Sequence, residues 1–561
     1  MEKRLWILWL QGVENAPPLV QKCIARWHEL HPDWDVRVLD AATLQNFVDL
    51  DAYVDLKRQA VTAASLSDIA RIALLHEYGG VWADATVYCN QRLDDWLPTA
   101  SSSGFFAFAN DSKPKKALRS WFLAARPDHP LITQWATRVR DYWKGREKAD
   151  NYFWFHNLFG ELLQDNQDLQ NLWNRVPRLH TTNPRAIQFD IGMYEPFDTV
   201  KDDIDWTEPM FKLTHRVDME RATPETLIAK LLGFSEHMQH PPLDTATDFP
   251  VCAPTEIAAL KVSTDNRGDH VQIIAADNLL KRFGFSPKTR VDRDHEIGSM
   301  EFGAGVSMPL LINGWFKYDA SQWPPNPAFQ TQFLGFHMRP KRCATLLSQE
   351  ALSYYRAHAP IGCRDVFTEN LLRHNGVEAY TSNCLSLTFP RRLPCDTQTE
   401  VFIVSKDRVI LDHMPDSLGK TTFINHYSGI DDFDINMAAT QQLLETYRDR
   451  ARLIVTTLLH CALPAIAMGI PVVILYPIKD AKRQQSDRER FSSLERLIRI
   501  FRFDEIDAVN WDGETIDVSA EKLAIIENFA SSGARAWRAH PQPPIGPIAS
   551  ASILPLRQGS K

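Results

Sequence analysis

The apolar positions change period several times along the first eighty residues. Residues 5–10 (LWILWL) are an unbroken apolar run, the pattern of a strand buried on both faces. A polar turn at Gln11-Gly12 leads to residues 18–31, read as a helix, and residues 36–39 give a second strand. Leu66, Ile69, Ala70, Ala73, Leu74 and Leu75 then recur at helical spacing, which predicts a helix over 67–77 with one buried stripe. Gly79 and Gly80 end it, because a glycine just past a helix takes the left-handed conformation that closes the last turn. Val81, Trp82 and Ala83 make a short buried strand, with Asp84 at its carboxyl end. This alternation predicts an α/β fold built on a parallel sheet with helices on its faces. Residues 105–109 read as a further strand; 130–142, 152–163 and a stretch around 225–232 read as helices.

Residues 237–255 are rich in Pro, His and Asp and carry no period, so they read as a linker. Beyond them the α/β rhythm restarts. Strands are predicted at 257–262, 401–405, 409–411 and 453–456, and helices at 271–283 and 437–448. A Gly-Pro turn at 469–471 enters a buried strand ending at Leu475, and another helix is expected from Ala462. Residues 480–490 mix both charge signs and read as a solvated segment, as do the lysines of 113–116. From Pro541 onward Pro, Ser and Gly dominate, the composition of a disordered tail. The expected division is 1–236, a linker over 237–255, a second domain over 256–540 with halves at 256–390 and 396–540, and a tail over 541–561.

Chemistry enters at the 67–77 helix. Asp68 and Arg71 are three apart and share a face, and Asp84 follows at a strand end, where open α/β sheets gather ligands. A carboxylate beside a guanidinium fork suits sugar hydroxyls and an adjoining phosphate. Equally, the pair is an ordinary helix salt bridge and Asp84 a turn residue. The longer pattern, SD-x-x-R, a Gly-Gly turn and then Asp84-Ala85-Thr86-Val87, resembles the nucleotide-sugar glycosyltransferases with a DXD-type motif. It resembles the capsular polysaccharide synthesis family more closely. That resemblance implies a GT-A-like single Rossmann-like domain in which Asp84 holds Mn²⁺ or Mg²⁺ and the donor diphosphate. Asp68 and Arg71 would orient the donor sugar, while Trp9 and Gln11 border a uracil-type pocket. His215, in the FKLTHR stretch at 211–216, would complete the metal or pyrophosphate site, and the aromatic-flanked His156 would reach toward the acceptor. The second Asp of a DXD motif is Thr86 here, so Asp84 is the one carboxylate of that motif.

The second region carries its own motifs. Asn266, Gly268 and Asp269 precede a helix, where backbone amides favour an anion. Asn313-Gly314-Trp315-Phe316, Gly335-Phe336-His337, Gly362-Cys363-Arg364-Asp365, Ser382-Asn383-Cys384-Leu385 and TTLLHCALPAIAMG at 456–469 follow. In this order, over nearly the whole of 256–540, they resemble the polysaccharide pyruvyl transferase family. The resemblance implies a GT-B-like pair of Rossmann-like subdomains with a changeover near 385–396, and transfer of a pyruvyl group from phosphoenolpyruvate to a sugar. Arg364 matches the family's Gly-x-Arg and would bind the anion. His460 matches the His of its Arg-Leu-His and would act as general acid or phosphate ligand. The Arg of that motif is Leu458, a departure that Arg267 or Lys317 would have to compensate. Arg364 paired with Asp365, and His460 as a buried capping residue, are the structural alternatives.

Composition narrows the picture further. A chain of 561 residues is too long for one core, and 44% hydrophobic with 24% charged residues describes folded domains. A net charge of −8 offers no basic face for nucleic acid. The eight cysteines are scattered without a C-x-x-C pair, the usage of reduced thiols. No apolar run approaches the ~20 residues of a membrane span, so the expectation is a cytoplasmic protein with at most peripheral membrane contact. The combined expectation is a two-domain enzyme of bacterial surface-polysaccharide assembly. Its partners would be a nucleotide-sugar donor and a saccharide or lipid-linked saccharide acceptor, with phosphoenolpyruvate as co-substrate of the second domain. The rival expectations are an idle, glycan-binding or scaffolding C-terminal domain, and a non-enzymatic assembly factor.

Overall fold

The computed structural model describes all residues except 110–116, 178, 180–182, 186, 189–191, 219–220, 234–254, 301–306, 317–321, 340–345, 407, 478–490, 535–536 and 538–561. The expected linker from 237 to 254, the lysines at 113–116, Lys317, the mixed-charge segment from 480 and the tail from 541 lie outside the described residues.

The first sheet is built from β1 (Arg4–Leu8), β2 (Asp35–Leu39), β3 (Gly80–Ala83), β5 (Phe105–Ala109) and β6 (Leu118–Ala125), in the order β2-β1-β3-β6-β5. β1 runs parallel to β2 and β3, whereas β6 is antiparallel to β3 and β5. β1 thus has its successor on one side and β3 on the other, and the crevice at such a switch point collects ligands. A separate antiparallel ribbon pairs β4 (Val87–Cys89) with β7 (Met210–Lys212). The second sheet holds β8 (Thr255–Lys261), β9 (Phe285–Asp292), β10 (Met308–Gly314), β11 (Phe329–Phe336), β12 (Ile361–Cys363) and β13 (Ala379–Thr381). The third holds β14 (Glu400–Val404), β15 (Thr421–Ile424), β16 (Ala451–Thr456), β17 (Val472–Leu475) and β18 (Ile500–Phe501). Both are parallel throughout, ordered β13-β12-β11-β10-β8-β9 and β15-β14-β16-β17-β18. Their switch points fall at β8/β10 and β14/β16, beside Asn266 and His460. The molecule is a mixed α/β protein with largely parallel sheets.

Residues 409–411 are not a strand. They lie in a 3-10 turn, Arg408–His413, with only Ile410 buried. Val409 is exposed and only Ile410 is buried, so the run lacks the burial that holds the equally short β12 in its sheet. The predicted helices at 271–283 and 437–448 begin earlier, at Arg267 and Phe433, because Asn266 and Asp432 cap them with side-chain oxygens. No helix among the described residues is long and apolar enough to cross a membrane.

The apolar cores follow the sheets with two exceptions. One cluster joins Ile257, Leu279 and Leu334 of the second sheet's layer to Phe402, Ile454 and Leu463 of the third's. Leu523, from the helix Ser519–Asn528, belongs to the core of the first unit. That helix also places Lys522 against Glu77 at the end of the Ala63–Tyr78 helix, in a buried ion pair, and Glu527 against Arg37. Glu77 accepts a second bond from the Arg391 amide at 2.8 Å. A buried charge stripped of its partner is costly, roughly 3–5 kcal/mol, whereas removing both charges is often near neutral. Lys522→Met is therefore expected to lower the thermal and denaturant midpoints strongly. Adding Glu77→Gln, which keeps an acceptor for Arg391, should recover most of the loss. A double variant as unstable as the single would refute this reading.

Candidate functional site

The helix Ala63–Tyr78 starts on Thr62, whose side chain accepts from the Ser65 amide, and stops at Gly79. Gly79 (φ +64°) and Gly80 (φ +93°) take backbone conformations closed to other residues, and Cβ atoms there would meet Pro127 at 2.6 Å and the Arg4 carbonyl at 2.7 Å. The reversal drops the chain into β3 and delivers Asp84 beneath the helix.

Arg71 is the hub. It is buried, and its guanidinium donates to Asp68 Oδ1 at 2.8 Å, to Asp84 Oδ1 at 3.1 Å, to Ser67 Oγ at 3.1 Å and to Ser120 Oγ. Its Cζ also stands 5.2 Å from the Trp82 ring centroid. Trp82 Nε1 donates to Asp84 Oδ1 at 3.0 Å. Ser120 Oγ in turn meets His156 Nε2 at 3.2 Å. Trp9 and His215 sit edge to face with centroids 5.8 Å apart. All of these except Trp82 line one cleft of about 500 Å³, together with Gln11, Thr86, Arg119, Tyr152, Arg185 and Lys212. The structure thus brings Trp9, Gln11, Asp68, Arg71, Asp84, His156 and His215 to one place.

Sequence reasoning missed Lys212, Arg119 and Arg185. Lys212 lies 3.3 Å from Asp84 Oδ2 and donates to Thr86 Oγ1. It belongs to the FKLTHR stretch, but only the pairing of β4 with β7 shows that it faces the aspartate. Arg119 lies on β6 and Arg185 in a one-turn helix; no spacing marks either.

The two carboxylates beside Arg71 titrate apart. Burial pushes Asp68 up to about 7, with the Asp84 charge adding to it against the pull of Arg71. Asp84 is buried too, but Arg71 and Lys212, with bonds from Trp82 and Lys212, outweigh the burial and hold it below the usual carboxylate range. Burial, then the charges of Arg216 and Lys212, lower His215, so its imidazole is neutral near pH 7.

A divalent cation does not fit this donor set. Asp84 Oδ1 is taken by Arg71 and Trp82, and the Lys212 ammonium contacts both Asp84 Oδ2 and Thr86 Oγ1. Such an ion would have to displace the ammonium from Asp84, the one carboxylate of the Asp84-Ala85-Thr86 motif, while Asp68 is paired with Arg71. Among the described residues no group of three or more His, Cys, Asp or Glu side chains is placed to hold a metal.

In the second region Asn266 caps the helix Arg267–Arg282 by accepting from the Gly268 amide at 3.1 Å. Gly268 packs against His460: a Cβ on it would lie 3.2 Å from the His460 Cβ. Asp269 is buried and saturated, accepting from Arg293 and Trp315 at 3.1 Å and from Gln272 at 3.2 Å. Gln272 Nε2 reaches His460 Nδ1 at 3.5 Å, so the two halves meet at these residues. Asp269 is therefore a framework residue, engaged from within the protein.

Arg364 is different. It is 1% exposed at the end of β12, and among the described residues none of its three side-chain nitrogens has a hydrogen-bond partner. Asp365 Oδ2 is 3.8 Å from Nε, but that carboxylate is committed to His337 Nδ1 at 2.5 Å and to Thr368 N and Oγ1 at 2.9 Å. The Arg364–Asp365 pair weighed as the structural alternative is thus not a hydrogen-bonded one. His460 lies inside the helix Leu459–Ala467, and Leu458, at its N-cap, packs on the apolar core.

Residues 1–231 match the family model for capsular polysaccharide synthesis proteins, and residues 266–478 match that for polysaccharide pyruvyl transferases. The two matches follow one another along the chain, in the arrangement of a capsular polysaccharide synthesis domain and then a polysaccharide pyruvyl transferase domain. The chain also aligns with O-glycosyltransferase braB of Annulohypoxylon truncatum, 27% identical over 172 residues, which is 28% of this chain and 40% of that one. O-glycosyltransferase PaGT of Phomopsis amygdali is 28% identical over 166 residues, 27% of this chain and 41% of that one. The chain thus spans about two fifths of the length of these curated relatives. A solved structure, the PaToxG glycosyltransferase, aligns at 15% identity and a TM-score of 0.22, covering 31% of this chain and 73% of that one.

Asp68 yields a pH test. Its folded value, about 7, stands above the ordinary 3.8. The stability it contributes is complete below the lower value and is lost as pH rises to the higher one. The melting temperature of Asp68→Asn relative to the native protein should therefore rise across that window and level off above it. A relative melting temperature that falls or stays flat would contradict the assignment.

Proposed function

We propose that the capsular domain is a GT-A-like glycosyltransferase that moves a sugar from a nucleotide-sugar to a glycan or lipid-linked glycan in surface-polysaccharide assembly. The observation that carries this is the convergence of Asp68, Arg71 and Asp84 with Trp9, Gln11 and His215 around one cleft. In such a transfer the bond from the anomeric carbon to the diphosphate oxygen breaks, and its electron pair leaves with the phosphate. An acceptor hydroxyl oxygen bonds to the carbon and gives up its proton. Charge develops on the leaving diphosphate, where fixed cations in a partly dry cleft act most strongly. Arg71, locked by two carboxylates and two hydroxyls, orients Asp68 toward the sugar. Trp9 supplies a ring face for the base, and the neutral His215 a hydrogen-bonding group beside it.

For the second domain we propose a GT-B-like anion site centred on Arg364, with phosphoenolpyruvate as ligand and the glycan as acceptor of its pyruvyl group. A buried guanidinium whose donors are all unmet is a costly arrangement unless an anion arrives. His460, at the facing switch point, would serve as proton carrier or phosphate ligand. One observation favours a second reading, in which this domain binds glycan without catalysis: Leu458 is packed into the core and supplies no cation.

The test is a thermal-shift panel on the full chain, since a ligand that binds only the folded state raises its melting temperature. One nucleotide-sugar should stabilise the native protein, and Asp84→Asn should cut sugar transfer from it by about 100-fold or more. Silence across all nucleotide-sugars would end the glycosyltransferase reading. Phosphoenolpyruvate should stabilise the native chain and have no effect on Arg364→Met. No shift on the native chain would favour the non-catalytic reading.

A further inference from the structure

The feature that calls for explanation is the ammonium of Lys212. It contacts Asp84 and Thr86, the two positions at which a DXD-type motif offers oxygens to a divalent ion. Two things fix it there. The register of β4 and β7 sets Lys212 opposite Val87, and the Leu213 amide donates to the Thr86 carbonyl at 3.0 Å. The threonine hydroxyl accepts from the ammonium in a place where a second carboxylate would have drawn in a metal. The substitution that removes a metal ligand and the lysine that fills the space are thus one arrangement.

The lining of the cleft is richer in cations than in carboxylates. The cleft is lined by Arg71, Arg119, Arg185 and Lys212 against the carboxylates of Asp68 and Asp84. Arg71 and Lys212 are engaged with those carboxylates. Arg119 has no carboxylate partner among the described residues; it is half-buried, and burial lowers its proton affinity. Burial lowers that of Arg185 as well, and the nearby Arg119 charge adds to the effect. Two guanidinium groups that repel each other in a half-buried cleft are stabilised when an anion of matching charge lies between them.

We infer that this cleft binds the diphosphate of a nucleotide-sugar with side-chain cations alone: Lys212 occupies the place of the divalent ion, and Arg119 and Arg185 take the phosphates. The inference rests on the reading of the cleft as a donor site and adds that donor binding needs no metal. A lysine held against Asp84 supplies a single positive charge that does not leave with the product, and the two arginines supply the rest.

The experiment is calorimetric titration of the full-length protein with UDP, GDP and CDP, in excess EDTA and again with Mn²⁺. At least one of these should bind in EDTA with a Kd within roughly threefold of its value in Mn²⁺. In EDTA, Lys212→Met and Arg119→Gln should each weaken that binding by about tenfold or more, and Lys212→Arg should retain most of it. Methionine keeps the length of the lysine stem; if that variant nonetheless fails to fold, Arg119→Gln carries the test, because its side chain holds no internal carboxylate. Binding seen only with Mn²⁺, or metal-free binding indifferent to both substitutions, overturns the inference and leaves the glycosyltransferase reading standing. If none of the three diphosphates binds in either medium, that reading falls and the inference falls with it.

Discussion

One guanidinium organises the first half of the molecule. Arg71 bonds a helix residue three positions back, the end of β3 through Asp84, and β6 through Ser120. A buried arginine with fewer partners would be a liability, since unmet charged donors cost several times what a neutral hydrogen bond contributes. Here the bonds made by its two terminal nitrogens, to Asp68, Ser67, Asp84 and Ser120, fix the angle between helix and sheet. They also keep the two carboxylates apart, with one ionised and the other near its titration point at neutral pH. The glycine pair at 79–80 serves the same end, because only a tight reversal returns the chain to β3 so soon.

The second half handles a guanidinium in the opposite way. Asp365, the neighbour that might have neutralised Arg364, caps its own helix through Thr368 and holds His337. Arg293, by contrast, is gripped by Asp269 and Asp294 and is plainly structural. Two buried arginines in one domain, one saturated and one left open, make a contrast that burial alone would not reveal. It is the hydrogen-bond accounting that separates the two.

Much of this was legible in the chain. Local spacing put Asp68 and Arg71 on one helix face and Asp84 at a strand end, because both are fixed by short-range geometry, but only the longer motif set them apart from a helix salt bridge and a turn residue. Trp9, Gln11 and His215 were reachable only through the resemblance of whole motifs. Lys212 stayed hidden because its partner Thr86 is 126 residues away, and no period in the sequence encodes a pairing of that range. Residues 409–411 show the reverse error, a short apolar run with strand-like content of which only Ile410 is buried. Asp269 was read as a ligand from its place before a helix, yet its oxygens are taken by Arg293, Trp315 and Gln272, residues from a distant turn, a later strand end and the next helical turn.

The contact between Glu77 and Lys522 has a consequence for how the molecule is made. The two residues are 445 positions apart. A ribosome completes the helix that bears Asp68 and Arg71 long before it supplies the ammonium that neutralises the far end of that helix. Until then the carboxylate must remain hydrated, and the lower end of the helix cannot close over it. The first unit therefore reaches its final packing only when the helix Ser519–Asn528 is in place, so biogenesis itself links the two halves and a chain cut short before residue 522 is denied a finished first unit.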